Sequence, residues 1–436
     1  MVFPLRLRRR GEHKKEIIPV TGISDIEITI PPQFQCPISF DLMKDPVIVA
    51  SGITYDRESI EKWIESGKKT CPVTNTVLET FDQIPNHAIR KMIQDWCVEM
   101  GSYNGIERIP TPRVPVTPHE VSEICGKLWA ATRRGDHTKC GDLVGRIKNL
   151  GKESERNKKC LRENGVGFVL CVCFDAFAES ENAFLLEEVL SVLTWMLPVG
   201  SEGQTKIASA ASFRCMVGFL RSMDDSVRQN AAFLLKELLA SDETHAFVLS
   251  EVDGVEEAFV KLIRDAVSVS STKSSLTAIY HMISSKPMIV SKFLETGLVN
   301  LAVEMIVDAE KSVCEKALAV LDVICETREG GEEVSKNALV MPLLVKKMPK
   351  ISELATMSSV SLMWKLCKRG NAATAVEEAV RLGAFQKLLV VLQVGCGEGT
   401  KEKVTELLKM MNTAMGKMED DCVDSSMDFK YLKKPF

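Results

Sequence analysis

The feature that most constrains this chain is a long-period repeat. A triplet of apolar residues at i, i+3, i+6 occurs seven times: Val144/Ile147/Leu150, Leu190/Leu193/Met196, Ala232/Leu235/Leu238, Leu276/Ile279/Met282, Ala317/Val320/Val323, Val360/Met363/Leu366 and Val404/Leu407/Met410. Successive leaders lie 46, 42, 44, 41, 43 and 44 residues apart. Three-residue steps put each triplet on one side of a helix. A period of ~40 to 47 residues marks an array whose units bury their apolar faces only by stacking on one another. Gly165, Gly254, Gly297 and Gly383 each fall 15 to 17 residues after a triplet and precede another apolar run, a position that suits a tight corner between short helices.

The period, together with the string RQNAAFLLKELL (Arg228 to Leu239), resembles the armadillo repeat over about 290 residues, from His119 to Met411. HEAT repeats share the length. The resemblance implies an α-solenoid with an extended concave surface that binds a partner protein and carries no chemistry of its own. Armadillo importins hold basic peptides with a Trp and an Asn on each groove-lining helix. Here Trp195 is followed four places on by Val199 and Trp364 by Lys368, so that ladder is absent and cargo import by that mode is disfavoured.

The rest of the composition removes other classes. With 45% apolar residues, 55 Lys plus Arg and 59 Asp plus Glu among 436 residues, the chain is foldable and near neutral, which gives no electrostatic case for nucleic-acid binding. The uncharged apolar stretch Gly165 to Phe174 is too short to cross a bilayer. Met1 to Lys15 holds six basic residues with no apolar signal-peptide core behind them, so residues 1–30 are expected to be a basic, flexible tail. That tail also fits a nuclear-import or anionic-membrane patch. The 14 cysteines include no Cys-x-x-Cys pair, which points to buried thiols in a reducing compartment, cytoplasmic or nuclear. Cys171 and Cys173, two apart, do not share a helix face as metal ligands would.

Residues 31–105 form a separate module, joined by a proline-rich linker (106–118) to the helical array (119–415), with a C-terminal tail at 416–436. In the module, Val47 to Ala50 reads as a strand ended by the Ser51-Gly52 turn. Asp56 is expected to cap a helix from Arg57 to Ser66 that Gly67 ends, with Ile60, Trp63 and Ile64 as its apolar side. Asn86 is expected to cap a second helix with the stripe Ile89, Met92, Ile93 and Trp96. Leu42, Val47, Val49, Ile60, Ile64, Leu78 and Ile89 are the expected core. Two Cys-Pro turns, Cys36-Pro37-Ile38 and Cys71-Pro72-Val73, bracket the first helix and set apolar residues on loops, which is unusual unless they pack inward or meet a partner.

The strings CPISFDLMKDPVIV, SGITYDR and CPVT resemble the U-box of ubiquitin ligases across nearly the whole module. With the repeats behind it, the chain resembles the plant U-box armadillo-repeat ubiquitin ligases. The implied fold is mainly α: a small α+β U-box, a zinc-free RING-like fold, followed by the solenoid. The resemblance implies that Ile38, Trp63 and Pro72, with Cys36, Pro37, Val73 and Asn75 around them, dock a ubiquitin-loaded conjugating enzyme. It also implies a protein substrate on the armadillo groove and a setting in stress or defence signalling. Whether the chain self-associates is left open.

A zinc RING is excluded on ligand count. Two tetrahedral sites need eight Cys or His, and residues 31–100 supply Cys36, Cys71, Cys97 and His87. No metal or cofactor is expected, and Asp45, Tyr55, Asp56, Arg57 and Glu58 are expected to bond where zinc would sit. No residue of this chain is expected to act as the nucleophile, because the thioester belongs to the conjugating enzyme. Cys36 and Cys71 therefore read as structural, with no neighbouring base to activate them. In one respect the sequence departs from the family: Asn75 stands where many members carry an Arg or Lys that bridges enzyme and ubiquitin. That departure keeps a second reading alive, a non-catalytic armadillo scaffold with a degenerate U-box.

Overall fold

The structure, a computed structural model, describes residues 30–104, 115–180, 182–348, 352–369 and 372–425. The expected basic tail before Ile30 and most of the linker lie outside these residues, as does the end of the chain from Ser426. Two compact units result, Met1–Val114 and Pro115–Phe436.

The first unit holds a three-stranded antiparallel sheet in the order β2-β1-β3, made of β1 (Pro46–Ile48), β2 (Thr54–Asp56) and β3 (Ile84–Pro85). Val47 pairs with Tyr55 on one side and with Pro85 on the other. Gly52, at φ 78°, makes the turn between β1 and β2, a left-handed conformation natural to glycine. Helix α1 (Arg57–Glu65) follows β2, and α2 (His87–Asn104) follows β3. Val47, Val49, Ile60 and Leu78 are buried as expected, whereas Leu42, Ile64 and Ile89 are half-buried at its edge. Met43, Tyr55, Ile93 and three thiols, Cys36, Cys71 and Cys97, complete the core. Phe34 packs its ring 5.9 Å from that of Trp96.

One cap is corrected. Asn86 does cap α2, accepting from Ile89 N–H at 3.1 Å, but Asp56 makes no cap bond to α1. Its Oδ1 turns back and accepts from the N–H groups of Lys44 and Asp45, both at 2.8 Å, because that loop has two backbone donors with no strand partner.

The second unit opens with α3 (Pro118–Arg134) and α4 (His137–Glu153). Three-helix units follow, each a first, a middle and a long helix: α5 (Glu155–Glu163), α6 (Val166–Phe177), α7 (Ala183–Met196); α8 (Ser201–Ile207), α9 (Ala210–Leu220), α10 (Asp225–Ser241); α11 (Thr244–Ser250), α12 (Val255–Arg264), α13 (Val269–Ser285); α14 (Val290–Glu295), α15 (Leu298–Asp308), α16 (Lys311–Ile324); α17 (Arg328–Lys336), α18 (Val340–Lys347), α19 (Glu353–Lys368); α20 (Ala372–Arg381), α21 (Ala384–Val394), α22 (Glu398–Ser425). The seven triplets fall on α4, α7, α10, α13, α16, α19 and α22, and every member is buried except Leu150 and Met410, which are half-buried. Gly165, Gly254, Gly297 and Gly383 sit at φ 79°, 70°, 77° and 79°, each immediately before a middle helix. The long helices pack directly on one another in sequence, more closely than the middle helices do, so they form the inner layer of the stack.

The boundaries also shift. Val116 is buried and donates its N–H to Asn157 Oδ1 at 3.0 Å, and Thr117 closes a capping box with Glu120, so the second unit begins ahead of His119. Helix α22 continues to Ser425, past the expected start of a tail at 416. Cys171 and Cys173 are both fully buried despite their spacing, because nearly every side of α6 faces other helices, and burial pushes both thiols up to about 12.

Candidate functional site

Two loops of the first unit have the same backbone. Cys36 donates its N–H to Asp41 O at 2.9 Å and its carbonyl accepts from Phe40 N–H at 2.8 Å. In the second loop, Cys71 donates to Thr76 O at 2.8 Å and accepts from Asn75 N–H at 2.9 Å. The fifth residue of each is left-handed, Phe40 at φ 59° and Asn75 at φ 56°. Asn visits that region readily; a bulky aromatic there is uncommon. The chain accepts the conformation because both loops must reverse within six residues while keeping the cysteine side chain in the core.

Each thiol is held in place. Tyr55 O–H, 3.0 Å away, and Ser51 Oγ, 3.1 Å away, donate to Cys71 Sγ, and Thr74 N–H lies 3.5 Å from the same sulfur. Val73 N–H in turn donates to the Tyr55 oxygen at 3.3 Å. Burial works to raise the Cys71 pKa, but the donors from Ser51, Thr74 and Tyr55 outweigh it and bring the thiol down to about 6. Burial and the sulfur acceptor push the Tyr55 phenol well above its usual range. Cys36 Sγ accepts from Asp56 N–H at 3.3 Å. The low pKa of Cys71 thus has hydrogen-bond donors as its cause and no adjacent base, and the sulfur is sealed from solvent.

A second cluster ties loop to helix. Asp45 Oδ2 accepts from Arg57 Nε at 2.7 Å, and its Oδ1 pairs with Arg90. Arg57 also donates to Gln83 Oε1 at 3.1 Å. Of the residues expected to bond in zinc's stead, Asp45, Tyr55, Asp56 and Arg57 do so. Glu58 does not: it forms an exposed pair with Lys62 one turn on. Ser51, Gln83 and Arg90 were missed because each partner lies 20 to 45 residues away, beyond any local pattern. Among the described residues no group of three or more His, Cys, Asp or Glu side chains is arranged to hold a metal ion.

The predicted site residues occupy these loops and the helix between them. Trp63 on α1 is half-buried against the core, its Nε1–H donating to Thr70 O at 2.8 Å, with the Lys68 ammonium 3.8 Å above the ring. That bond fixes the indole against the start of the second loop. Ile38, Pro37 and Pro72 are half-buried, and Val73 is exposed. Cys36 and Cys71 are buried and present no surface to a partner, which corrects their inclusion as contact residues: they shape the loops from beneath. Asn75 is exposed at the end of the second loop. Sequence reasoning missed Phe40, which is 69% exposed at the first-loop position matching Asn75. Aligning CPISF with CPVTN would have flagged it.

The family model described as a U-box domain matches residues 30–101, and that of the plant U-box protein ARM repeat region matches residues 120–433. U-box domain-containing protein 21 of Arabidopsis thaliana is 66% identical over 99% of both chains. E3 ubiquitin-protein ligase PUB23 of the same plant is 33% identical, over 89% of this chain and 94% of that one. Among solved structures, a designed armadillo repeat protein is 22% identical with a TM-score of 0.47, covering 55% of this chain and 98% of its own. The chain therefore belongs to the plant U-box armadillo-repeat family of ubiquitin ligases, and it is a U-box E3 ubiquitin transferase.

Proposed function

We propose that the two matched loops and Trp63 dock a ubiquitin-charged conjugating enzyme, while the inner layer of the solenoid holds the protein to be modified. The observation that carries this reading is the pair of matched loops that set Ile38, Phe40, Pro72 and Val73 on hydrogen-bonded turns, with the Trp63 indole fixed to the start of the second loop. Apolar residues on turns lose free energy to water unless a partner covers them. The chemistry belongs to the partner: a substrate lysine amine attacks the thioester carbonyl, the isopeptide bond forms and the conjugating enzyme's thiolate leaves. The contribution of this chain is proximity, which turns an encounter between two proteins into an effectively intramolecular step. A cytoplasmic or nuclear setting is part of the proposal and is checked by microscopy of a fluorescent fusion.

Reconstitution with purified activating enzyme, conjugating enzymes and ubiquitin tests the reading. The wild type is expected to build ubiquitin ladders. Trp63→Ala, which removes the fixed indole, is expected to weaken them by a factor of ~30, the equivalent of ~2 kcal/mol. Because Trp63 also packs on the core, Phe40→Ala is the companion variant: its side chain is exposed, so the fold stays intact while discharge of the charged enzyme slows. Undiminished ladders from both variants overturn the docking surface, and no ladder from the wild type with any conjugating enzyme favours the scaffold reading.

A further inference from the structure

The indole between the two loops carries a tethered cation. Helix α1 ends at Glu65, and Gly67, at φ 84°, turns the chain back with its N–H donating to Ile64 O at 3.0 Å. Ser66 Oγ closes the same turn by donating to Trp63 O at 2.7 Å. The reversal brings Lys68 over the residue five places before it, with its ammonium 3.8 Å from the centre of the Trp63 ring. The ring itself is held from beneath by the core and at Nε1–H by Thr70 O. Lys68 is exposed and forms no ion pair among the described residues, with Glu65 three positions before it, while Lys62 is taken by Glu58.

A ring face and a charge this close are covered together. A partner that lies on Trp63 draws the Lys68 ammonium out of water with it, and a desolvated ammonium with no opposite charge is unfavourable. Pushing Lys68 aside instead forfeits its attraction to the indole. The ammonium offers three donors and no acceptor, so a carboxylate both bonds and neutralises it. Because the stem already lies along the ring, little side-chain freedom is lost when that pair forms. The second loop offers no charge of its own, since Pro72, Val73, Thr74, Asn75 and Thr76 are all neutral.

We propose that Lys68 is a specificity-determining residue for ubiquitin transfer. Its ammonium pairs with a carboxylate on the docked conjugating enzyme, and the enzymes accepted are those that present an acidic side chain against the Trp63 face. A surface left uncharged at Asn75 thus takes its positive charge from Lys68. This rests on the reading of Trp63 and the two loops as the docking surface.

The test measures discharge of ubiquitin from a panel of purified, charged conjugating enzymes by the full-length chain, as their concentration is varied at low and at high salt. Lys68→Met keeps an unbranched apolar stem over the ring and removes the charge; Lys68→Glu reverses it. For enzymes the wild type discharges, Lys68→Met is expected to raise KM about tenfold at low salt with kcat unchanged, and Lys68→Glu to raise it further. The wild-type KM should climb with salt, and that of Lys68→Met should barely move. Single Asp→Lys and Glu→Lys changes across the conjugating enzyme should include one that restores discharge by Lys68→Glu. Melting curves of both variants should match the wild type, because Lys68 is exposed. Phe40→Ala is run beside them. If Phe40→Ala slows discharge while both Lys68 variants keep the wild-type KM, the docking surface stands and the role of Lys68 is overturned. A lower KM for Lys68→Met also overturns it, since Lys68 would then be a cover over the ring, and so does a loss confined to kcat. If the wild type discharges no enzyme, or none of the three variants differs from it, the docking surface itself fails and the inference with it.

Discussion

Asp45→Ala isolates what replaces a metal in the first unit. The side chains of Arg57 and Arg90 are only 15% and 11% exposed, and Asp45 is the carboxylate both are paired with, at Oδ2 and Oδ1 respectively. Removing it leaves two guanidinium groups largely desolvated without a counter-charge, a loss that runs ~3 to 5 kcal/mol for a buried pair. Asp45 itself is 23% exposed and Arg57 keeps Gln83, so water and one amide offset part of the cost and the lower end applies, about 3 kcal/mol. For a unit of this size each kcal/mol moves the midpoint by ~4 to 8 °C, so a fall of ~15 °C is expected for the first unit. Hydrogen exchange by mass spectrometry on the full-length chain reads the unit separately: amides of β1 and α2 should exchange over a hundredfold faster, while those of α10 and α13 stay as in the wild type. Asp45→Asn, which keeps shape and loses charge, should fall between. An Asp45→Ala protein whose β1 amides exchange at the wild-type rate would refute the idea that this cluster holds the unit together.

Three further outcomes are expected. Tyr55→Phe removes the oxygen that joins Val73 N–H to Cys71 Sγ, leaves the buried sulfur short of one donor and the Val73 N–H to water, and should cost ~1 kcal/mol in the same exchange measurement. Because the Cys71 thiol titrates near 6 when folded against 9.0 ordinarily, its contribution is absent below about pH 6, grows as pH rises and is complete above pH 9. First-unit stability should climb through that window, and Cys71→Ser, which does not ionise there, should flatten the rise. In the solenoid, a Cβ added at Gly151 would meet the Trp195 ring at 2.6 Å, so Gly151→Ala should lower the solenoid's melting temperature by an amount corresponding to ~1 to 3 kcal/mol; an unchanged melting curve would mean the indole moves freely.

The solenoid was legible because its information is local and repeated. Each triplet needs only the 3.6-residue period, and each corner glycine only its left-handed φ. The first unit was legible in outline through Gly52, Gly67 and Asn86, which act within a few residues of themselves. It was illegible where groups meet across the fold. Asp56 sits in front of a helix and reads as a cap, yet the loop at Lys44 and Asp45, twelve and eleven residues upstream, presents two orphan N–H groups that claim its carboxylate. Arg90 reads as a solvated residue on α2 until the sheet brings it to Asp45. Phe40 falls between these cases: nothing in its own neighbourhood marks it, but comparison with the second loop does.

The same bonds that hold the first unit together also set the shape of its exposed loops. Tyr55, at the centre of β2, reaches through the core to Cys71 and to the N–H of Val73, so the apolar turn at the surface is fixed from beneath by a strand residue. Trp63 is tied to the same loop through Thr70 O. The first loop repeats that backbone, with Cys36 anchored by Asp56 N–H. Backbone closures and buried thiols therefore determine where Ile38, Phe40, Pro72 and Val73 stand, and the side chain at Asn75 takes no part in those closures beyond tolerating a left-handed φ. Loss of a cation at that position costs the surface a charge but none of its shape. The shape can thus persist while the charge varies, and that separation is why an uncharged Asn75 is compatible with the docking surface proposed above.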